Sequence, residues 1–301
     1  MAKKKRAPVI LFLLMSVAGT GIMLYPAVSE QINSRRQTRA IAAYHAEVSQ
    51  TSNEKIEEVL EDALRFNEAL RSLNGKFADS GTLKDEYYKT LRLGSSDVIA
   101  YIEIPKISVH LPIFHGTGES VLQVGVGHLE GSTLPVGGAG THAALSAHRG
   151  LPSAKLFTNL DKMEIGDIFI VQVLKKSLYY QVDRISVVLP DKVDMIAIEP
   201  GSDLVTLITC TPYAINTHRL LVRGRRVTDM ELPEEPIPFG APVELYNWEK
   251  EPVSLPFQSL ILLAGAALAL VIKIILELRQ KRLYKEYLRL RKIDLRQSKL
   301  A

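Results

Sequence analysis

The chain holds a single cysteine, Cys210, which ends the run LVTLITC just before Thr211-Pro212-Tyr213. A strand end fixes a side chain while leaving one side open to substrate, as an attacking sulfur requires. A thiol with a pKa of about 8.5 is only a few per cent thiolate at neutral pH, so nucleophilic use of Cys210 calls for a base or a cation beside it. Of the seven histidines, His142 and His148 share the run THAALSAHRG, where an even spacing puts both on one face of a strand. His148, at the end of that run, is the predicted acid and base; His142 is expected to pack or hydrogen-bond within the fold. Arg219 opens the run RLLVRG, nine residues after Cys210. Antiparallel strands joined by TPYAINTH would set its guanidinium beside the thiol, ready to stabilise an oxyanion. Taken singly, the cysteine could be a small buried hydrophobe and the arginine a solvated charge; their joint placement with His148 argues for chemistry.

These residues need a frame, and the sequence supplies β-rich runs from Asp97 to Val227: VIAYIEI, VHLPIF, VLQVGVGHL, HAALSAH, IFIVQVL, LYYQVDRISVVL, LVTLITC and RLLVRGRRV. Pro, Gly and Asp separate them, which predicts a mainly β domain, an eight-stranded β-barrel with a helical turn at Ala154 to Leu160. Residues 31–73 read as one amphipathic helical arm with Ile56, Val59, Leu60, Ala63, Leu64 and Leu70 on one stripe and Asn74-Gly75 as the stop. Residues 76–94 are polar and without a clear period. Residues 229–256 are acidic and carry six prolines, the composition of an extended linker. No glycine-rich phosphate loop and no CxxC or HExxH pattern occurs, so no metal or cofactor is expected.

The net charge of +4 is carried by the ends, MAKKKR and residues 279–301, which leaves the body net acidic. That argues against a nucleic-acid partner, whose phosphates need a basic folded surface. Residues 8–28 and 257–276 each offer about 20 apolar residues, enough for a transmembrane helix at each end, with Lys273 snorkelling. Lys/Arg-rich flanks would keep both termini (1–7 and 277–301) cytoplasmic and put residues 29–256 outside the cell. Cleavage of the first span as a signal peptide near Ala27-Val28-Ser29 is the alternative. An exported domain with one cysteine forms no internal disulfide, and its thiol must be buried or needed.

The stretches TLITCTPY, HRLLVRG, THAALSAHRG, IPKISVHLPIFHGT and GVGHLEGSTLPVGG occur in an order that resembles class C, pilin-specific sortases of Gram-positive bacteria, over residues 95–228. The resemblance implies a sortase-type barrel over 95–228, preceded by a helical arm and lid-equivalent segment at 29–94. It also implies a transpeptidase: Cys210 attacks the Thr–Gly carbonyl of an LPXTG-like sorting signal, and a lysine of another pilin resolves the thioester as an isopeptide bond. In the same terms His148 passes protons, Arg219 binds substrate and steadies the oxyanion, and Thr209 supports by hydrogen bonding; pilin subunits and the membrane are the implied partners. A housekeeping sortase that anchors proteins to the cell wall, a secreted cysteine protease and a non-catalytic tethered binding module are the alternatives. Many class C sortases carry an Asp-Pro-aromatic lid. Residues 76–94 hold Asp79-Ser80-Gly81 and Asp85-Glu86-Tyr87 but no such triplet, which leaves Tyr87 or Tyr88 as the candidate lid aromatics.

Overall fold

The computed structural model describes residues 6–72, 83–94, 96–227, 273, 277 and 279–284. The chain divides into two compact units, Gly21–Val243 and Met1–Thr20 with Glu244–Ala301. In the second unit the described residues are helical. The first unit carries the barrel and the helices packed on it.

Eight strands close the barrel: β1 (Val98–Ile104), β2 (Val109–His115), β3 (Val126–His128), β4 (Thr141–Ser146), β5 (Ile168–Val173), β6 (Lys176–Val188), β7 (Asp203–Thr211) and β8 (His218–Arg226). Around the barrel they run β1-β2-β3-β4-β7-β8-β6-β5. The pairs β2–β3 and β4–β7 are parallel, and the others are antiparallel. Alternate residues point inward, where Ile113, Leu145, Phe169, Tyr180, Val205, Leu207 and Val222 fill the core. The Phe169 and Tyr180 rings stack with centroids 5.5 Å apart. They press against Gly224, where a Cβ would meet Phe169 Cε1 at 2.5 Å, so only glycine fits there.

Outside the barrel lie α1 (Arg6–Gln50) and α2 (Asn53–Ser72), followed by α3 (Lys84–Tyr87) and α4 (Glu119–Leu122). The single arm expected over 31–73 is broken at Thr51-Ser52. Thr51 Oγ1 donates back to Glu47 O at 2.7 Å, and Ser52 Oγ receives the Lys55 amide at 3.3 Å, so one helix ends and another is capped. On α2 the buried stripe is Ile56, Val59, Ala63, Phe66 and Leu70, while Leu64 faces solvent. The stripe belongs to the same buried apolar cluster as β1, all seven of whose residues are buried. Tyr44 of α1 ties that helix to the barrel, donating to Ile99 O and accepting from Leu174 N.

Three further expectations are corrected. The run VLQVGVGHL is not one strand: its start joins Glu119 in α4, and only Val126–His128 pairs in the sheet. Ala154 to Leu160 is a series of turns, with a 3-10 helix at Leu160–Lys162. The expectation of a transmembrane helix at each end, 8–28 and 257–276, is not met: among the described residues, which include 8–28, no helix is long and apolar enough to cross a membrane. From Leu14 on, α1 mixes Ser16, Gly19, Thr20, Gly21 and Pro26 among its apolar residues, then runs without a break into Ser29-Glu30-Gln31. Apart from Lys273, the segment 257–276 lies outside the described residues, as does the linker 229–256.

Candidate active site

Cys210 stands one residue from the end of β7, partly exposed, with its Cα directly opposite that of Arg219 on β8. The expected pairing of the two strand ends is therefore formed. His148 lies two residues beyond β4, whose parallel register with β7 ends at Ser146↔Ile208. Carried two residues further, that register sets His148 beside Cys210. The extension is bonded: the Ala147 amide donates to Ile208 O at 3.1 Å, and Thr209 Oγ1 donates to Ala147 O at 2.8 Å. Thr209 is buried, so its bond fastens the histidine-bearing segment to the cysteine-bearing strand.

By alternation Cys210, Ile208 and Thr206 share one face of β7, and Thr209, Leu207 and Val205 share the other. The second set belongs to the barrel core. The first faces outward, onto a smaller apolar layer formed by Ala144, Ile196 and Leu221 with Leu129, Val188, Met195 and Ile208. The segment between β6 and β7, including a 3-10 turn at Val193–Ile196, contributes Met195 and Ile196 to this layer. His142 helps hold that segment, with Nδ1 2.8 Å from Ala197 O and Nε2 2.7 Å from Thr206 Oγ1. A carbonyl can only accept, so Nδ1 carries the proton and Nε2 accepts from the threonine. Burial holds the His142 pKa below the ordinary histidine value, and the ring stays neutral. Arg223 adds a second tie: its guanidinium bonds Asp183 through two nitrogens at 2.9 and 2.8 Å and Glu199 at 2.5 Å.

Arg219 is held by its own turn, with Nη1 donating to Asn216 O at 3.2 Å and His218 O at 3.1 Å. No carboxylate pairs with it among the described residues, so its charge is left for a ligand. Arg149 follows His148 and spans the site: Nη1 donates to Thr211 Oγ1 at 3.1 Å, Nη2 to Asp161 Oδ2 at 2.5 Å, and the guanidinium lies 6.0 Å from the Tyr213 ring centre. Gly150 then turns the chain away at φ +74°, where a Cβ would strike Tyr213 Cε2 at 2.8 Å.

Of the residues singled out in the sequence, the backbone register brings Cys210, His148 and Arg219 to one rim, while Thr209 and His142 are buried. Sequence reasoning missed Arg149, whose only signal was its place directly after His148. It also missed Glu119, whose Oε2 lies 3.4 Å from His148 Nε2 and whose surrounding sequence has no periodic pattern. Tyr87 and Tyr88, the candidate lid aromatics, are engaged at the β2–β3 edge. Tyr87 is buried, accepts from the Gly116 amide at 2.9 Å and donates to His128 Nδ1 at 2.9 Å; Tyr88 donates to Glu130. The lid-equivalent residues 76–82 lie outside the described residues. Among the described residues no cluster of three or more His, Cys, Asp or Glu side chains could hold a metal ion.

A closed eight-stranded barrel carrying a thiol, an imidazole and a guanidinium on one rim defines a narrow structural class. Residues 102–227 match the family described as "Sortase domain". The solved structure of sortase C1 from Streptococcus agalactiae is 43% identical, with a TM-score of 0.61, over 64% of this chain and 99% of that one. That of Streptococcus pneumoniae sortase C is 45% identical, with a TM-score of 0.58, over 63% and 97%. A curated relative, sortase A from Streptococcus agalactiae serotype III, is 35% identical over 131 residues, 42% of this chain, and the chain spans about half of that relative's length, 52%. The chain belongs to the sortase family.

Proposed function

We propose that this protein is a cysteine transpeptidase of the pilin-polymerising, class C kind. One observation carries the reading: Cys210 and Arg219 are paired across β7–β8 at the rim, with His148 brought in two residues beyond the parallel neighbour β4. The Cys210 sulfur attacks the Thr–Gly carbonyl of an LPXTG-like signal, and Arg219 faces the oxyanion that forms. As the C–N bond breaks, His148 gives its proton to the leaving glycine amine, and a thioester remains. A lysine amine of a second pilin then attacks the thioester carbon. His148 takes the amine's proton, the sulfur leaves, and an isopeptide bond joins the two subunits. The apolar layer around Ile208, Leu221 and Ile196 suits the apolar residues of such a signal.

The class C assignment is supported by the sortase C structures, one of which is described in terms of pilin substrate specificity. The proposal puts the barrel at the cell surface, where such subunits are displayed; protease cleavage of the barrel on intact cells tests that. For the chemistry, the full chain is incubated with purified candidate pilins bearing LPXTG-like signals, followed by mass spectrometry of the cross-link. A ladder of covalent polymers that disappears with Cys210→Ala is the expected result. Attachment of single subunits to cell-wall precursor without a ladder would instead favour the housekeeping reading, to which the sortase A relative lends support.

A further inference from the structure

His148 Nε2 is shielded from solvent, and Glu119 Oε2 lies 3.4 Å from it. Glu119 is not a loosely placed carboxylate. It opens α4, whose Val121 and Leu122 amides close on Gly118 O at 3.0 Å, and its Oε1 accepts from Gln123 Nε2 at 3.0 Å. The segment after α4 is itself held, since Gln37 of α1 donates to Val124 O at 3.0 Å. The Gln123 amide, and then His148, keep the Glu119 carboxyl below the usual carboxylate range.

We propose that Glu119 is a positioning residue for His148, orienting its ring toward Cys210. Nε2 is the ring nitrogen within ion-pair reach of the carboxylate and has no hydrogen-bond partner among the described residues; a proton there would leave Nδ1 free to serve the thiol. The other charged groups around the ring cannot take this role. Arg149 and Arg219 are donors with no acceptor to offer a ring N–H, and Asp161 is occupied by Arg149. Cys210 contributes negative charge only as the thiolate that the ring itself helps to form. Glu119 therefore plays the part that a buried aspartate or glutamate plays beside other catalytic histidines, from a more exposed position.

The inference rests on reading His148 and Cys210 as base and nucleophile, and its test needs no substrate. The rate of iodoacetamide alkylation of Cys210 is followed against pH in the full chain for wild type, H148A, E119Q and E119D. The limb that H148A removes belongs to the ring. E119Q is expected to lower the height of that limb several-fold, as loss of an orienting partner would, and E119D by less. With a sorting-signal peptide, E119Q should lower kcat several-fold at unchanged KM. A wild-type limb in E119Q overturns the proposal; if E119Q lowers the melting temperature, a wild-type limb in E119D overturns it instead. A lowered limb without any peptide transfer sustains the positioning role and removes the transpeptidase reading; transfer with an unchanged limb does the reverse.

Discussion

Thr209 faces the barrel core, yet its hydroxyl is what fastens the His148 segment beside Cys210. Thr209→Val keeps the shape and leaves the Ala147 carbonyl unpaired in a buried site. The expected cost is about 1–3 kcal/mol in urea unfolding, with a fall in kcat larger than any change in KM. Arg219 is different, being partly exposed and bound only to its own turn. Arg219→Ala should lower kcat by about 10²–10³-fold, the scale of losing one oxyanion donor, while the melting temperature stays put. Cys210, His148 and Arg219 were legible because each sits at a strand end, where residue type and position together carry meaning. Glu119 was not legible, since its approach to His148 depends on how α4 folds back between β2 and β3, and no local pattern encodes that return.

The helices show where periodicity misleads. Residues 31–73 have a continuous helical pattern, but the hydrogen bonds that Thr51 Oγ1 donates and Ser52 Oγ accepts divide it, and the buried face of α2 includes Phe66 in place of the expected Leu64. That face includes one polar residue, Asn67, which donates to Leu134 O at 3.1 Å and accepts from Leu134 N at 2.7 Å. It acts as a substitute strand neighbour for the chain leading to β4. Asn67→Ala leaves both main-chain groups unpaired and should cost about 2 kcal/mol or more, read from the urea midpoint. The strands were more legible than the helices, because inward and outward residues alternate along them. The exception, VLQVGVGHL, joins a short helix to a three-residue strand, and an apolar run of that length fits either state.

Across the whole molecule, burial holds His110, His115 and His128 down to about 4. All three are neutral in the fold, whereas in the unfolded chain they take protons near pH 6.5. Their folded values are depressed, so stability is full above about 6.5 and is lost as pH falls toward 4, by up to about 2 kcal/mol per group between pH 7.5 and 5. His142 and His45, also lowered, act in the same direction, while Glu30 and Glu103, raised by burial, oppose it. Urea midpoints measured from pH 7.5 to 5 should therefore decline, and a flat profile would contradict the burial of these rings. The membrane expectation failed at this same scale, because composition alone marked residues 8–28 as a span, whereas the helix that contains them continues into polar sequence. The parallel β4–β7 pair carries a further consequence, for folding order. Its tie from Thr209 to Ala147 closes a separation of 62 residues, so that loop entropy must be overcome before His148 and Cys210 can meet. A half-folded chain thus leaves Cys210 without the His148 segment beside it, and the proposed acyl transfer would wait on closure of the barrel.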